Sequence, residues 1–269
     1  MNSNQKIAVF DSGLGGLSVL KHLLNALPNE DYIYMADSLN APYGIKSPEE
    51  VLELTEKAFD TLFFQDIKIL VVACNTASTQ YNEIGHKEKY KNKLIFTIHP
   101  SIQGPLNDNR TSNILLMATK ITLQSNYVKN MLQSNKTEKK IETLAAGDIV
   151  PFVEKNNTNS SEFDHMLHNL LLKYKNIDSV ILGCTHFPFV KEQINNELMK
   201  NNNNKEIIFF DNAIHLTKSI INTLKEKNIL FTNKRSIHSV DIIDTLNDKT
   251  RLPIYKKLVD NTNFNYNFI

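Results

Sequence analysis

The chain of 269 residues holds two cysteines, and each ends the same local pattern. Cys74 follows the apolar run Ile69-Leu70-Val71-Val72-Ala73 and precedes Asn75-Thr76-Ala77-Ser78. Cys184 follows Val180-Ile181-Leu182-Gly183 and precedes Thr185-His186-Phe187-Pro188. The two lie 184 − 74 = 110 residues apart. Each pattern reads as a buried strand that delivers a thiol into a polar loop. In open parallel sheets ligands bind beyond the carboxyl ends of the strands. Two thiols at two such ends suggest two halves of the chain facing one substrate.

A lone buried cysteine is ordinarily a small hydrophobe, but a matched pair with hydroxyl neighbours favours chemistry. A metal site is not expected, because there is no CxxC and Cys184-Thr185-His186 is poor spacing for tetrahedral ligands. A redox pair would need the sulfurs in contact, and a cysteine–histidine nucleophile would leave the second thiol idle. A further arrangement uses both sulfurs. One, as thiolate, removes a proton from a carbon, and the other, as thiol, delivers one to the opposite face. A free thiol has a pKa near ~8.5, so a modest push makes a usable thiolate. Asp11 could act on one cysteine and His186 on the other. The hydroxyls of Ser12, Thr76 and Thr185, the amide of Asn75 and helix N-termini could hold a carboxylate and an ammonium. That inventory suits racemising an amino acid without a cofactor.

Two turns belong to the same picture. Phe10-Asp11-Ser12-Gly13-Leu14-Gly15-Gly16-Leu17-Ser18 follows a strand and opens a helix, where free N–H groups can meet an anion. No Gly-Lys-Ser/Thr follows, and Ser18 stands where the third glycine of a dinucleotide fingerprint belongs. The second turn, Asp37 to Gly44, contains Pro42-Tyr43-Gly44, a rigid bend that can present the Tyr43 hydroxyl.

The elements that must position these residues alternate between strand and helix. Strands are expected at Ile7–Phe10, Asp31–Met35, Ile69–Ala73 and Leu94–Ile98, then at Asn113–Ala118, Ile141–Leu144, Ser179–Leu182 and Ile207–Phe210. Helices are expected through Leu17–Leu24, near Ser47–Phe64, after Asn75, from about Leu123, near Glu162–Tyr174 and at Ala213–Lys225. Ser47 is the expected N-cap of the second helix, with Glu50 completing a capping box. Strands separated by helices of this length mean βαβ units. The segment after Phe231 is polar and weakly periodic.

Composition narrows the class. Apolar residues make up 41% and charged residues 22%, ordinary for a globular protein. A net charge of +1 gives no reason to expect nucleic acid or an anionic membrane as partner. No run approaches the ~18 apolar residues of a spanning helix. The polar residues before Ile7 are too short for a secretory leader. Reduced thiols and a cytoplasmic location are expected.

Asp11 to Gly16, Pro42 to Gly44, Ala73 to Ser78 and Gly183 to Pro188 resemble the four signature blocks of glutamate racemase, within the cofactor-independent aspartate/glutamate racemase family. Val150-Pro151-Phe152-Val153-Glu154 resembles a fifth block, and Ala118-Thr119 with Thr122 a sixth. The resemblance covers about residues 7 to 212. It implies an α/β fold of two pseudo-symmetric domains with mainly parallel central sheets, and an active site at their interface. The expected domains are residues 1–97 with 213–269, and residues 98–212. It implies that Cys74 deprotonates D-glutamate and Cys184 deprotonates L-glutamate. Asp11 would assist Cys74, and His186 with Glu154 would assist Cys184. Substrate would be lined by Asp11, Ser12, Pro42, Tyr43 and Gly44 from one region. Asn75, Thr76, Thr119, Thr122, Thr185 and His186 would line it from others. No cofactor and no metal are implied. The implied partners are the small-molecule substrate glutamate and a second copy in a homodimer, and the implied role is D-glutamate supply for peptidoglycan. An aspartate or other acidic amino-acid racemase, or a racemase-like binding protein, are the alternatives. The chain departs from the family pattern at Asn40, at Ala145-Ala146-Gly147, at His99-Pro100-Ser101, at Lys120-Ile121 and in the tail after Phe231.

Overall fold

Unbroken apolar runs such as Ile7-Ala8-Val9-Phe10 have no polar face to give to water, so they fold as strands covered on both sides. The computed structural model describes residues 2–134, 138–202, 205–232, 238–261 and 263–269. The first series is β1 (Ile7–Asp11), α1 (Leu17–Ala26), β2 (Tyr32–Ala36), α2 (Pro48–Phe63), β3 (Ile69–Val72), α3 (Asn75–Ile84) and β4 (Ile95–Thr97). The short α4 (Gln103–Leu106) leads to β5 (Asn113–Ala118), α5 (Lys120–Leu123), α6 (Asn126–Gln133) and β6 (Lys140–Ala145). Then come α7 (Val150–Glu154), α8 (Ser161–Leu171), β7 (Ser179–Gly183), α9 (Lys191–Asn201) and β8 (Ile208–Phe210). The chain closes with α10 (Ala213–Glu226), β9 (His238–Asp244), α11 (Leu252–Val259) and β10 (Phe264–Phe268).

Two sheets result, with strand orders β10-β9-β2-β1-β3-β4 and β6-β5-β7-β8. Every strand pair is parallel. Within each sheet the chain lays its second strand on one side of the first and its third on the other. The order β2-β1-β3-β4 is therefore repeated as β6-β5-β7-β8. The gaps beyond β1/β3 and β5/β7 are the switch points where parallel sheets open a crevice. Asp11 ends β1, Cys74 lies just beyond β3, Thr119 follows β5 and Cys184 follows β7.

Alternate side chains of each strand enter opposite cores. Ile7, Val9, Ile69 and Val71 pack with Leu20 of α1, Ile220 of α10 and Val259 of α11. Ala8, Phe10, Leu70 and Val72 pack with Phe59 of α2 and Tyr81 of α3. In the second sheet Leu115, Met117 and Val180 meet Phe163 and Ile194, while Ile114, Leu116 and Ile181 meet Val128.

Several expectations change in detail. The helix expected from about Leu123 is two short helices, because Ser125 caps α6 by accepting from Val128 N. Ser47 does cap α2 by accepting from Glu50 N at 3.1 Å, but the Glu50 carboxylate takes Lys46 at 2.6 Å instead of closing the box. The helix near Glu162–Tyr174 ends at Leu171. The tail holds β9, α11 and β10, where the sequence pattern predicts no element; residues 233–237 and 262 lie outside the described residues. β9 pairs with β2, and α10 and α11 pack on α1, so the tail completes the first sheet. Among the described residues no helix is long and apolar enough to cross a membrane.

One buried ion pair ties the tail to the amino ends of the strands. Lys68 Nζ donates to Ser3 O at 2.9 Å and Ile229 O at 3.0 Å, and it pairs with the Glu30 carboxylate. Glu30 also accepts from Phe231 N at 2.9 Å. Removing one partner of such a pair leaves an uncompensated buried charge, at about 3–5 kcal/mol. Lys68→Ala is expected to lower unfolding free energy by about that amount in urea titration; a change below about 1 kcal/mol, as for a surface pair, would contradict this role.

Candidate active site

The site is assembled at the carboxyl ends of β1, β3, β5 and β7. Cys74 is the N-cap of α3, and its sulfur accepts from Ala77 N at 3.5 Å. Its thiol donates to Ser12 Oγ at 3.6 Å. Burial and then the nearby Asp11 carboxylate push the Cys74 thiol up to about 12. At neutral pH this sulfur keeps its proton.

Cys184 has different neighbours. Its Sγ lies 3.6 Å from His186 Nδ1, and His186 Nε2 lies 2.7 Å from Glu154 Oε1. Burial of His186 works against its charge. Hydrogen bonds to Cys184 and Glu154, and the electrostatic pull of these two groups, outweigh burial and raise its pKa well above the usual histidine value. Glu154 behaves in the complementary way. Burial favours its acid form, but His186, the Leu14 N–H at 2.7 Å and the Arg251 charge hold the carboxyl below its ordinary range. An imidazolium beside a sulfur is the arrangement that stabilises a thiolate.

Asp11 is completely buried. Its Oδ1 accepts from Gly13 N at 3.0 Å and its Oδ2 from Thr185 Oγ1 at 3.2 Å. Burial pushes its carboxyl up to about 6, against the opposing charge of His186. Ser12 meets the Cys74 sulfur, and the Asp11 charge, felt from nearby, disfavours a thiolate there.

Both sulfurs line one small cavity of about 30 Å³. Ser12, Pro42, Tyr43 and Gly44 line it from the first series, with Asn75 and Thr76 beside Cys74. Thr119, Thr185 and His186 line it from the second. Asn75 Oδ1 is buried and has no partner among the described residues. Three residues expected at the substrate or in catalysis stand one layer back. Asp11 lies behind Thr185, Glu154 behind His186, and Thr122 joins Thr76 and Thr119 in a triangle of hydroxyls at 2.9–3.3 Å. Tyr43 lines the cavity, and its hydroxyl donates to Asp37 Oδ2 at 2.7 Å. Val150, from the fifth block, also lines the cavity, as do Ile45 and Gly147, which the sequence does not single out as site residues. Among the described residues no group of three or more His, Cys, Asp and Glu side chains could hold a metal ion.

The first turn is glycine-rich for a steric reason. A Cβ on Gly15 would collide with His186 and Thr185, and one on Gly13 would collide with the Glu154 carboxylate. Only a bare backbone lets this turn meet the second series so closely. Leu14 N then reaches Glu154, and Ser18 Oγ reaches Thr185 O at 3.0 Å.

Over residues 7–208 the chain matches the family Asp/Glu/Hydantoin racemase. It is 36% identical over 261 residues to glutamate racemase of Clostridium botulinum (strain Alaska E43 / Type E3), spanning 96% of this chain and 98% of that protein. It is 34% identical over 260 residues to glutamate racemase of Clostridium perfringens (strain ATCC 13124), spanning 96% and 97%. The fold is similar to that of glutamate racemase from Francisella tularensis in complex with D-glutamate. That TM-score is 0.79 at 26% identity, covering 98% of this chain and 97% of that one. A glutamate racemase isoform from Bacillus anthracis superposes with a TM-score of 0.81 at 25% identity, covering 100% and 98%.

The Asp11 carboxyl, raised from 3.8 to about 6, makes stability depend on pH with a definite sign. Between these values the folded chain holds a proton that the unfolded chain has released. Its contribution is therefore full below about pH 4 and is lost as pH rises through about 6, a swing on the order of 3 kcal/mol. Asp11→Asn has no such titration. The stability of this variant relative to the parent is expected to be higher at pH 8 than at pH 4. Parallel stability curves in chemical denaturation would contradict the shift.

Proposed function

The chain belongs to the Asp/Glu/Hydantoin racemase family, and from that footing we propose that it interconverts L- and D-glutamate by passing the α-hydrogen between Cys74 and Cys184. The observation that carries this reading is the meeting of both thiols in one small cavity lined by hydroxyl- and amide-bearing residues. The glutamate racemases similar to this chain over nearly its whole length support the substrate.

The two unlike sulfurs suit the start of the L-to-D direction. Cys184, as thiolate beside the His186 imidazolium, takes the α-proton of L-glutamate. The electron pair left on Cα spreads into the α-carboxylate. Cys74, as thiol, gives its proton to the opposite face, and D-glutamate results. Cys74 is then the thiolate and Cys184 the thiol, which is the starting point for the reverse direction. The α-proton of a zwitterionic amino acid is far less acidic than a thiol, so the carbanion-like state must be stabilised. Preorganised donors in a dry cavity are the means at hand: Thr76, Thr119, Ser12 and the N-terminus of α3 around the carboxylate. The unpartnered Asn75 Oδ1 supplies an acceptor for the ammonium, and the Asp11 carboxylate adds its charge from one layer behind, through Thr185. An ammonium near Asp11 also relieves the charge that keeps Cys74 protonated.

A cavity of about 30 Å³ holds about one water, so glutamate needs a more open form. Residues 1–97 with 213–269 would act as one domain and residues 98–212 as the other, parting along the seam to admit substrate and closing to expel water. The same reading gives D-glutamate for peptidoglycan as the product's use, and a cytoplasmic homodimer that works without metal or organic cofactor.

Cys74→Ala and Cys184→Ala test the reading directly. Each single variant is expected to lose racemisation in both directions by at least about 10³-fold, the scale of a lost acid–base residue, when followed by circular dichroism with glutamate and aspartate side by side. Full activity in either variant would remove the two-thiol mechanism, and faster turnover of aspartate would change the substrate.

A further inference from the structure

Arg251 lies outside the cavity, behind Glu154. Its Nη2 donates to Glu154 Oε2 at 3.3 Å, and its Nη1 pairs with the Asp244 carboxylate. Asp244 has no exposed side-chain surface and also accepts from the Tyr255 hydroxyl at 2.7 Å. The guanidinium sits over the Tyr255 ring, 5.9 Å from its centre. Asp244 ends β9, Arg251 immediately precedes α11 and Tyr255 lies within α11, so the clamp is built from the tail that completes the first sheet. Glu154 ends α7, in the series that forms the second sheet. The contact therefore crosses from one sheet's assembly to the other's.

A carboxylate can turn about its terminal bond unless both oxygens are engaged. Glu154 Oε1 receives Leu14 N and faces His186 Nε2, both at 2.7 Å. Arg251 engages the remaining oxygen. With both oxygens held, the imidazole is oriented through Nε2, and its Nδ1 faces Cys184. Ser12, Ala77 N and Asp11 neighbour Cys74; none of them is bonded to Arg251 or Glu154, and Asp11 alone among them feels the His186 and Glu154 charges. Resting on the racemase reading above, we infer that Arg251 is a positioning residue for the Cys184 half of the reaction, fixing Glu154 so that His186 faces that sulfur and no other. Arginine suits the task because its two arms span two carboxylates, whereas lysine is a point charge.

The test must separate the two halves. The enantiomers are equal in energy, so kcat/KM falls equally in both directions for any variant, and rate alone cannot show which sulfur is affected. The isotope effect can. Deuterium at Cα of L-glutamate is removed by Cys184, and that of D-glutamate by Cys74. A slower step at Cys184 raises the isotope effect on kcat/KM for 2-deuterated L-glutamate and lowers it for 2-deuterated D-glutamate.

Arg251→Ala is expected to lower kcat/KM about 10- to 100-fold, the cost of misplacing a catalytic group by a fraction of an ångström to one, with that asymmetry. Arg251→Lys, which keeps a charge beside Asp244, is expected to show the same asymmetry to a smaller degree, and it serves if the alanine variant fails to fold. A cavity of about 300 Å³ lined by Glu154, Arg251, Pro42, Pro151 and Leu246 opens beside the guanidinium. Added guanidinium ion is therefore expected to restore turnover in Arg251→Ala and return both isotope effects toward the parent values, without accelerating the parent. Equal isotope effects in the two directions, the opposite asymmetry, or parent-like turnover in a folded variant would each overturn the inference. All three leave racemisation by the parent intact, whereas a parent that does not interconvert the enantiomers overturns the reading on which the inference rests.

Discussion

Inverting a carbon centre by proton transfer needs an acid or base on each face of it. No single strand end can supply both, because side chains at one end of one sheet approach from one side. The repeated order β2-β1-β3-β4 and β6-β5-β7-β8 meets this constraint. Each copy places a cysteine just beyond its third strand, and the two copies meet at those ends. The seam between them governs the residues around it. The glycine turn after β1 is bare so that it can approach His186 and Glu154. Thr185 reaches Asp11, Leu14 N reaches Glu154, and Thr76 reaches Thr119, so hydrogen bonds cross the junction at three places.

The repeat is topological, and the electrostatics are not symmetric. Cys74 sits near the Asp11 carboxylate and keeps its proton. Cys184 sits against His186, whose pKa is held above the usual value by its bonds to Cys184 and Glu154. Transfer through a substrate needs one thiolate and one thiol, and unlike neighbours at the two sulfurs suit that need. The unlike pair therefore favours a reaction over a structural role. Burial that costs each charged group free energy is offset on one side by a chain of opposite charges, His186, Glu154, Arg251 and Asp244, and on the other by a pKa raised toward neutrality.

Much of the architecture is legible in the sequence. Strands covered on both faces write continuous β-branched runs, and a thiol after each of two such runs marks the ends of β3 and β7 by residue type alone. Order within the first series comes from helix-length spacers, and Ser47 announces α2. The tail is illegible for a physical reason. His238-Ser239-Val240-Asp241-Ile242-Ile243-Asp244 mixes charge with apolar residues because Asp241 and Asp244 are held by Lys6 and Arg251. Arg251 carries no local signal, since its partner Glu154 is 97 residues away. Tyr43 misleads in the other direction. Its hydroxyl is spent on Asp37, a contact within its own turn that residue type alone does not reveal.

The most direct measurement of the central claim tracks the circular dichroism of protiated L-glutamate as it equilibrates with the enzyme in deuterium oxide. With a sulfur on each face, every product molecule gains solvent deuterium while unreacted substrate keeps its protium. The deuterated D-enantiomer returns more slowly, and the signal is expected to pass through zero to the opposite sign before decaying. A monotonic decay to zero, with deuterium appearing equally in recovered L-glutamate, would mean that one group serves both faces and would contradict the account.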